Sequence, residues 1–197
     1  MPRIYLASQS PRRRELLAQI GVDYSVLSVD VDETPLPGES PHAYVERLAR
    51  DKAGAGWARV GADGALALPV LGADTAVVVD GEILGKPNDA AAGRAMLARL
   101  SGRAHEVVTG VCLCGERGPA AAVSCTRVWF RALSTADIDA YWASGEPCDK
   151  AGAYGIQGLG AVLVERIEGS YSGVVGLPLF ETAALLRSYA IDPLGNG

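Results

Sequence analysis

The 197-residue sequence is poor in the groups that build soft-metal and redox centres, with two histidines and four cysteines. Cysteines stand at 112, 114, 125 and 148, so no CxxC pair exists, and only His42 and His105 could complete such a site. Cys112 and Cys114, two apart in an apolar segment, share one face of an expected strand and read as buried core thiols. Long uncharged runs are missing too. The longest, residues 151–164, is too short and too rich in glycine to span a bilayer, so no membrane partner is expected. Positive excess is absent: 18 Lys and Arg against 23 Asp and Glu give a net charge of −5, which argues against general nucleic-acid binding. The first residues read as a short strand entering a helix and lack the regions of a secretory leader, so the cytoplasm is the expected compartment. There is no internal repeat and no low-complexity linker. What remains, 49% hydrophobic and 21% charged residues, is an ordinary globular composition, and the length suits a single domain over residues 1–197.

Along the chain, apolar periodicity alternates between strand and helix, which predicts an α/β fold with a mixed sheet. Strands are expected near residues 3–7 and 24–29. Ser40 and Pro41 open a helix to about Trp57, and "PVLGADTAVVVDGEIL" reads as two strands joined by a tight Asp80-Gly81 turn. A helix over about residues 89–100 ends at Gly102, and a long hairpin is expected over residues 106–113 and 121–133. Ser134 with Asp137 resembles a capping box for a helix ending near Gly145. A strand over residues 161–167, a loop "EGSYSGVVG", a terminal helix over about residues 177–189 and a loose tail "PLGNG" complete the reading.

Several stretches carry chemistry. In "LASQSPRRRELL", Ser10 is an N-cap and Pro11 a first helical residue, which puts Arg12 and Arg13 in the first turn, the unfavourable end of the helix dipole for a cation. A bound anion reverses that sign, because backbone N–H groups, the Ser8 and Ser10 hydroxyls and the guanidinium forks would all address it. Solvated surface arginines are the alternative. Asp74 and Thr75 interrupt an apolar strand, and a buried carboxylate has to be paired, hydrogen-bonded or metal-bound. Lys52 lies on or beside the apolar stripe of its helix, where it either snorkels or reaches a phosphate. Glu33, in an acidic loop, is either solvated or an oxygen ligand to Mg²⁺ opposite Asp74. "GEILGK" resembles part of a P-loop but has three residues between its glycines and Pro87 after Lys86, which excludes a Walker site and leaves Lys86 as a cation at a sheet edge or a solvated loop residue. "DKAGAYGIQGLG" has the glycine content of a loop that lets backbone approach a ligand, with Gln157 able to read a base edge; a flexible surface loop is the alternative.

Together, "LASQSPRRRELL", "VDETP", "ERLARDKA", "LGADTAVVVDGEILGKP", "LSGRAHEVVTGV", "DKAGAYGIQGLGA" and "GSYSGVVGLPL" closely resemble, in order and over nearly the whole chain, the Maf family of nucleoside triphosphate pyrophosphatases. The "DKAGAYGIQG" stretch is similar to the branch acting on dTTP and UTP. The resemblance implies a mixed twisted sheet flanked by helices, two lobes around a deep cleft as in inosine triphosphatase-like enzymes, a divalent cation (Mg²⁺ or Mn²⁺), and often a homodimer. It implies a house-cleaning hydrolysis of nucleoside triphosphate to monophosphate and pyrophosphate. Asp74 would be the proton acceptor, and Arg12, Thr75 and Gln157 would match specificity positions. Ser8, Arg13, Glu33, Lys52 and Lys86 would match phosphate- and metal-binding positions. The alternatives are a 7-methyl-GTP or modified-nucleotide pyrophosphatase, or a nucleotide-binding regulator of cell division or septum formation.

Overall fold

Ile4–Leu6 form β1, with Ile4 and Leu6 fully buried, in a computed structural model that describes residues 3–195. Ser10 caps α1 (Pro11–Gln19) by accepting from Arg13 N. β2 (Tyr24–Val26) runs parallel to β1 and stops short of residue 29, because β1 ends at Leu6 and the Leu27 N–H takes the last available carbonyl there. α2 (Pro41–Ala62), capped by Ser40, continues past Trp57 because Val60 packs with Ala7 and Val70.

β3 (Val70–Val79) and β4 (Glu82–Leu84) form the expected hairpin, with φ of 55° at Asp80 and 78° at Gly81, the paired positive values that a type I′ turn requires. α3 (Ala90–Leu100) starts from Asp89, and the chain turns at Gly102. β5 (Ala104–Cys114) and β6 (Ala120–Phe130) form the long hairpin, and α4 (Thr135–Ala143) begins with a complete Ser134–Asp137 capping box. Three 3-10 turns follow, Glu146–Asp149, Ala151–Ala153 and Gly158–Leu163. β7 (Val164–Glu168) starts later than residue 161, since Phe130, the last residue of β6, is the partner of Val164. The expected loop over residues 168–176 contains a short helix, α5 (Tyr171–Val175), capped by Ser170, and the expected terminal helix is α6 (Leu179–Arg187), which starts after Gly176 and Pro178. Of the expected tail, residues 196–197 lie outside the described residues.

The strand order is β2-β1-β3-β5-β6-β7, with β4 pairing β3. β1 is parallel to β2 and β3, and the remaining pairs are antiparallel, so the sheet is mixed. α2 lies on one face, where Val45 packs with Ala76, Val78 and Val108, and Ala49 and Ala53 pack with Cys112 and Cys114. The two cysteines are therefore core thiols, as expected, and all four cysteines are free. α2 comes very close: a Cβ on Gly72 would lie 2.4 Å from Ala49 O, and one on Gly110 would lie 2.4 Å from Val45 O. The opposite face carries the larger core, in which Leu71, Ala73, Val111 and Leu113 pack with Leu17, Val175, Leu177 and Leu186. Among the described residues, no helix is long and apolar enough to cross a membrane.

Candidate active site

The register of β3 opens a gap at Asp74. One edge of β3 is paired with β5 throughout, Asp74 facing Gly110. The other edge is shared, with β1 beside Val70 and Leu71 and β4 beside residues 77–79. Among the described residues, no strand pairs with that side of β3 between those two pairings. The chain leaves β1 through Ala7, whose N–H donates to Leu71 O, and continues into Ser8, Ser10 and α1. From the other direction, β4 runs antiparallel to β3 and delivers Gly85 and Lys86 past Leu84. Strand topology thus brings a helix N-terminus and a lysine loop towards one buried carboxylate.

Alternation along β3 divides the site between two faces. Asp74 shares the α2 face with Gly72, and Lys52 of α2 donates from Nζ to Asp74 Oδ1 at 2.7 Å. The same ammonium lies 2.6 Å from Glu33 Oε1. Asp74 is only 9% exposed, and an unpaired carboxylate at such a depth would cost several kcal/mol. Lys52 removes that cost and draws Glu33 in from its loop, which Tyr44 also steadies by donating its hydroxyl to Glu33 O. Burial works against ionisation of Glu33, but the Lys52 hydrogen bond and the charges of Lys52, Lys86 and Arg13 outweigh it, so its pKa is lowered.

Thr75 points to the opposite face, and Arg13 reaches it from α1. Arg13 Nη2 donates to Thr75 Oγ1 at 3.3 Å, Nη1 to Ser8 Oγ at 3.1 Å, and Nε to Gly176 O at 2.8 Å. The first turn of α1 therefore turns one arginine inward. Burial, followed by the repulsion of Arg12, lowers the Arg13 pKa, against the attraction of Asp74 and Glu33. Arg12 and Lys86 have no ion-pair partner among the described residues. Around Glu33 and Asp74, the three cations Arg13, Lys52 and Lys86 exceed the two carboxylates, a local positive excess in a chain of net negative charge.

The glycine-rich segment is not the flexible surface loop that its composition also allowed. Glu146 accepts from Tyr141 Oη at 2.8 Å, from Leu159 N at 2.9 Å and from Gly160 N at 3.0 Å, while Gly155 N donates to Tyr141 Oη at 3.1 Å. Gly160 needs to be glycine, since a Cβ there would lie 2.0 Å from Gly155 O. Gln157 sits half-buried at the start of the third 3-10 turn, and its amide has no protein partner among the described residues. The Arg12 charge acts on both Tyr141 and Asp149, which places that guanidinium toward the same segment.

The structure thus brings Ser8, Arg13 and Thr75 into one hydrogen-bonded group and Glu33, Lys52 and Asp74 into another, on the two faces of one strand. Lys86 joins the second group through its charge on Glu33, whereas Gln157 makes no hydrogen bond with either among the described residues. Sequence reasoning missed Tyr141, Glu146 and Thr109. Thr109 carried a usable signal, since it interrupts the apolar run of β5 as Asp74 and Thr75 interrupt that of β3.

A family model described as "Maf-like protein" matches residues 3–189. The chain is 56% identical over 193 residues to the dTTP/UTP pyrophosphatase of Saccharophagus degradans, covering 98% of this chain and 91% of that protein. It is 57% identical over 191 residues to the dTTP/UTP pyrophosphatase of Methylobacillus flagellatus, with 97% and 94% covered. The dTTP/UTP pyrophosphatase of Chromobacterium violaceum is 53% identical over 190 residues, with 96% of each chain covered.

Proposed function

The chain belongs to the Maf family, and from that premise we propose that it hydrolyses nucleoside triphosphates, dTTP and UTP foremost, to the nucleoside monophosphate and pyrophosphate. The observation that carries the reading is the buried Asp74 carboxylate, held by Lys52 in a gap that α1 and the Lys86 loop approach.

Lys52 occupies Asp74 Oδ1, and Oδ2 has no hydrogen-bond partner among the described residues, which leaves it free for a water molecule. Asp74 aligns that water and takes its proton as the water oxygen bonds to the α-phosphorus. The bond from the α-phosphorus to the bridging oxygen breaks, and pyrophosphate leaves with the electron pair. Arg13 and Ser8 receive the triphosphate at the start of α1, where its charge also offsets the dipole penalty of the two arginines. Lys52 and Lys86 neutralise the remaining negative charge. Arg12, Thr75 and Gln157 set the choice of nucleotide.

The donor chemistry fits a hard divalent cation. Two carboxylates converge on the Lys52 ammonium, and Mg²⁺ is commonly held by one or two carboxylates, with water and substrate phosphates completing its shell. Among the described residues, no group of three or more His, Cys, Asp or Glu offers a fuller cage. Glu33 and Asp74 would hold Mg²⁺ or Mn²⁺, which when bound polarises a phosphoryl oxygen. A two-lobed cleft, a homodimer and a cytoplasmic location belong to the same proposal.

Pyrophosphate release from dTTP, UTP, CTP, dCTP, GTP and 7-methyl-GTP tests the reading. Turnover concentrated on dTTP and UTP supports it. Preference for 7-methyl-GTP moves the substrate, and binding without turnover makes the protein a nucleotide-binding regulator.

A further inference from the structure

We propose that Thr109, in the middle of β5, is a positioning residue that fixes the direction of a hydrogen-bond chain from Arg13 through Thr75 to the backbone of α5. Thr109 lies directly opposite Thr75 in the ladder and is fully buried. Its hydroxyl oxygen is 2.9 Å from Thr75 Oγ1 and 2.8 Å from Gly173 O. A hydroxyl has one proton, and a carbonyl oxygen can only accept. Thr109 has both oxygens in reach as acceptors, but the two contacts can be hydrogen bonds at the same time only if Thr109 donates to Gly173 and Thr75 donates to Thr109. With its proton committed, Thr75 Oγ1 meets Arg13 Nη2 as an acceptor, the one role a guanidinium allows its partner. Arg13 Nε donates to Gly176 O, so both ends of the chain are tied to the same short segment.

This inference rests on Arg13 and Thr75 facing substrate, as proposed above, and it deepens that reading in two ways. The Arg13 fork is held in one orientation before any anion arrives, which lowers the ordering cost of binding. Thr75 Oγ1 can offer a ligand only a lone pair, so the group that meets it must be an N–H or O–H donor. A hydroxyl freed from Thr109 could turn its proton outward. Aimed at Arg13 it would repel the guanidinium N–H, and aimed at a ligand it would donate, so that an acceptor atom would be favoured instead.

Thr109→Val removes the acceptor with little change of volume, and Thr109→Ser keeps it. With dTTP, the valine variant should lose kcat/KM by roughly tenfold, mainly through a higher KM, whereas serine should stay within about twofold of the parent. In a Thr75→Val background, where the chain is already broken, Thr109→Val should cost nothing more. Hydrogen exchange of the Arg13 Nε–H, followed by NMR of ¹⁵N-labelled protein, should quicken in Thr109→Val and Thr75→Val and remain slow in Thr109→Ser. Unchanged Arg13 exchange in Thr109→Val, multiplying effects of the two valine substitutions, or failure of serine to restore KM would each overturn the proposal. If Thr109→Val does not fold, Thr109→Ala, which also removes the acceptor, takes its place under the same expectations. If the parent protein hydrolyses none of the triphosphates, the functional reading fails, while the exchange experiment still judges Thr109.

Discussion

His105 shows how much one buried side chain can impose on this molecule. Its ring is 3% exposed, with Nε2 2.7 Å from Tyr154 Oη and the edges of Phe130 and Tyr154 packed against it at centroid distances of 5.0 and 5.3 Å. Nδ1 is buried without a hydrogen-bond partner among the described residues. Burial, aided by the Arg103 charge, pushes the imidazole pKa down from 6.5 to about 4. The folded protein thus keeps this ring neutral where the unfolded chain protonates it. Its contribution to stability is full above pH 6.5 and is lost as the pH falls toward 4, by roughly 3 kcal/mol in total. Urea unfolding at pH 7, 5.5 and 4.5 should show a steeper loss for the parent than for His105→Gln; parallel losses would contradict the assignment. At this scale, Asp74, Thr75 and the arginines of α1 were legible because each breaks a local rule of apolar pattern or helix charge. Glu146 was not, because its role is to satisfy backbone N–H groups at Leu159 and Gly160, far along the chain.

Placing Lys52 on Asp74 depends on how closely α2 approaches the sheet. Gly72 and Gly110 form the flat patch on which the helix rests, and neither tolerates a Cβ without movement of α2 backbone. Gly110→Ala is expected to destabilise the protein by about 1–3 kcal/mol through overpacking. It should also lower kcat, since α2 has to lift Lys52 from the carboxylate. Gly54→Ala, on the same helix with open space at its Cβ, is the control and should stabilise by about 0.5–1 kcal/mol. Equal urea midpoints for the two variants would show that the contact does not govern the helix position. The start of α1, the Asp80-Gly81 turn and the Ser134–Asp137 capping box could all be read locally, because each is decided within four residues. The end of α2, the start of β7 and the short helix α5 inside an expected loop could not. Those are set by Ala7, by Phe130 and by the turn at Gly176, partners or backbone geometry that a periodic pattern does not reveal.

For the molecule as a whole, the sheet order explains why one site gathers residues from positions 8 to 176. β1 and β4 share an edge of β3 without meeting, and Ser8, Arg13, Glu33, Lys52, Asp74, Thr75 and Lys86 collect around that interruption. The mixed α/β class was readable from alternating periodicity. The strand order was not, since it depends on which edges pair across the whole chain. Because Lys52 already compensates Glu33 and Asp74, the fold does not need a divalent cation to hold its carboxylates together. Chelation is therefore expected to abolish hydrolysis while leaving the urea midpoint unchanged, and loss of both together would assign the cation a structural role. The most direct test of the central claim is dTTP turnover by Asp74→Asn beside the parent, with both proteins shown to be folded. The expected loss is at least about 100-fold, the scale of a missing general base. Hydrolysis at the parent rate would contradict it.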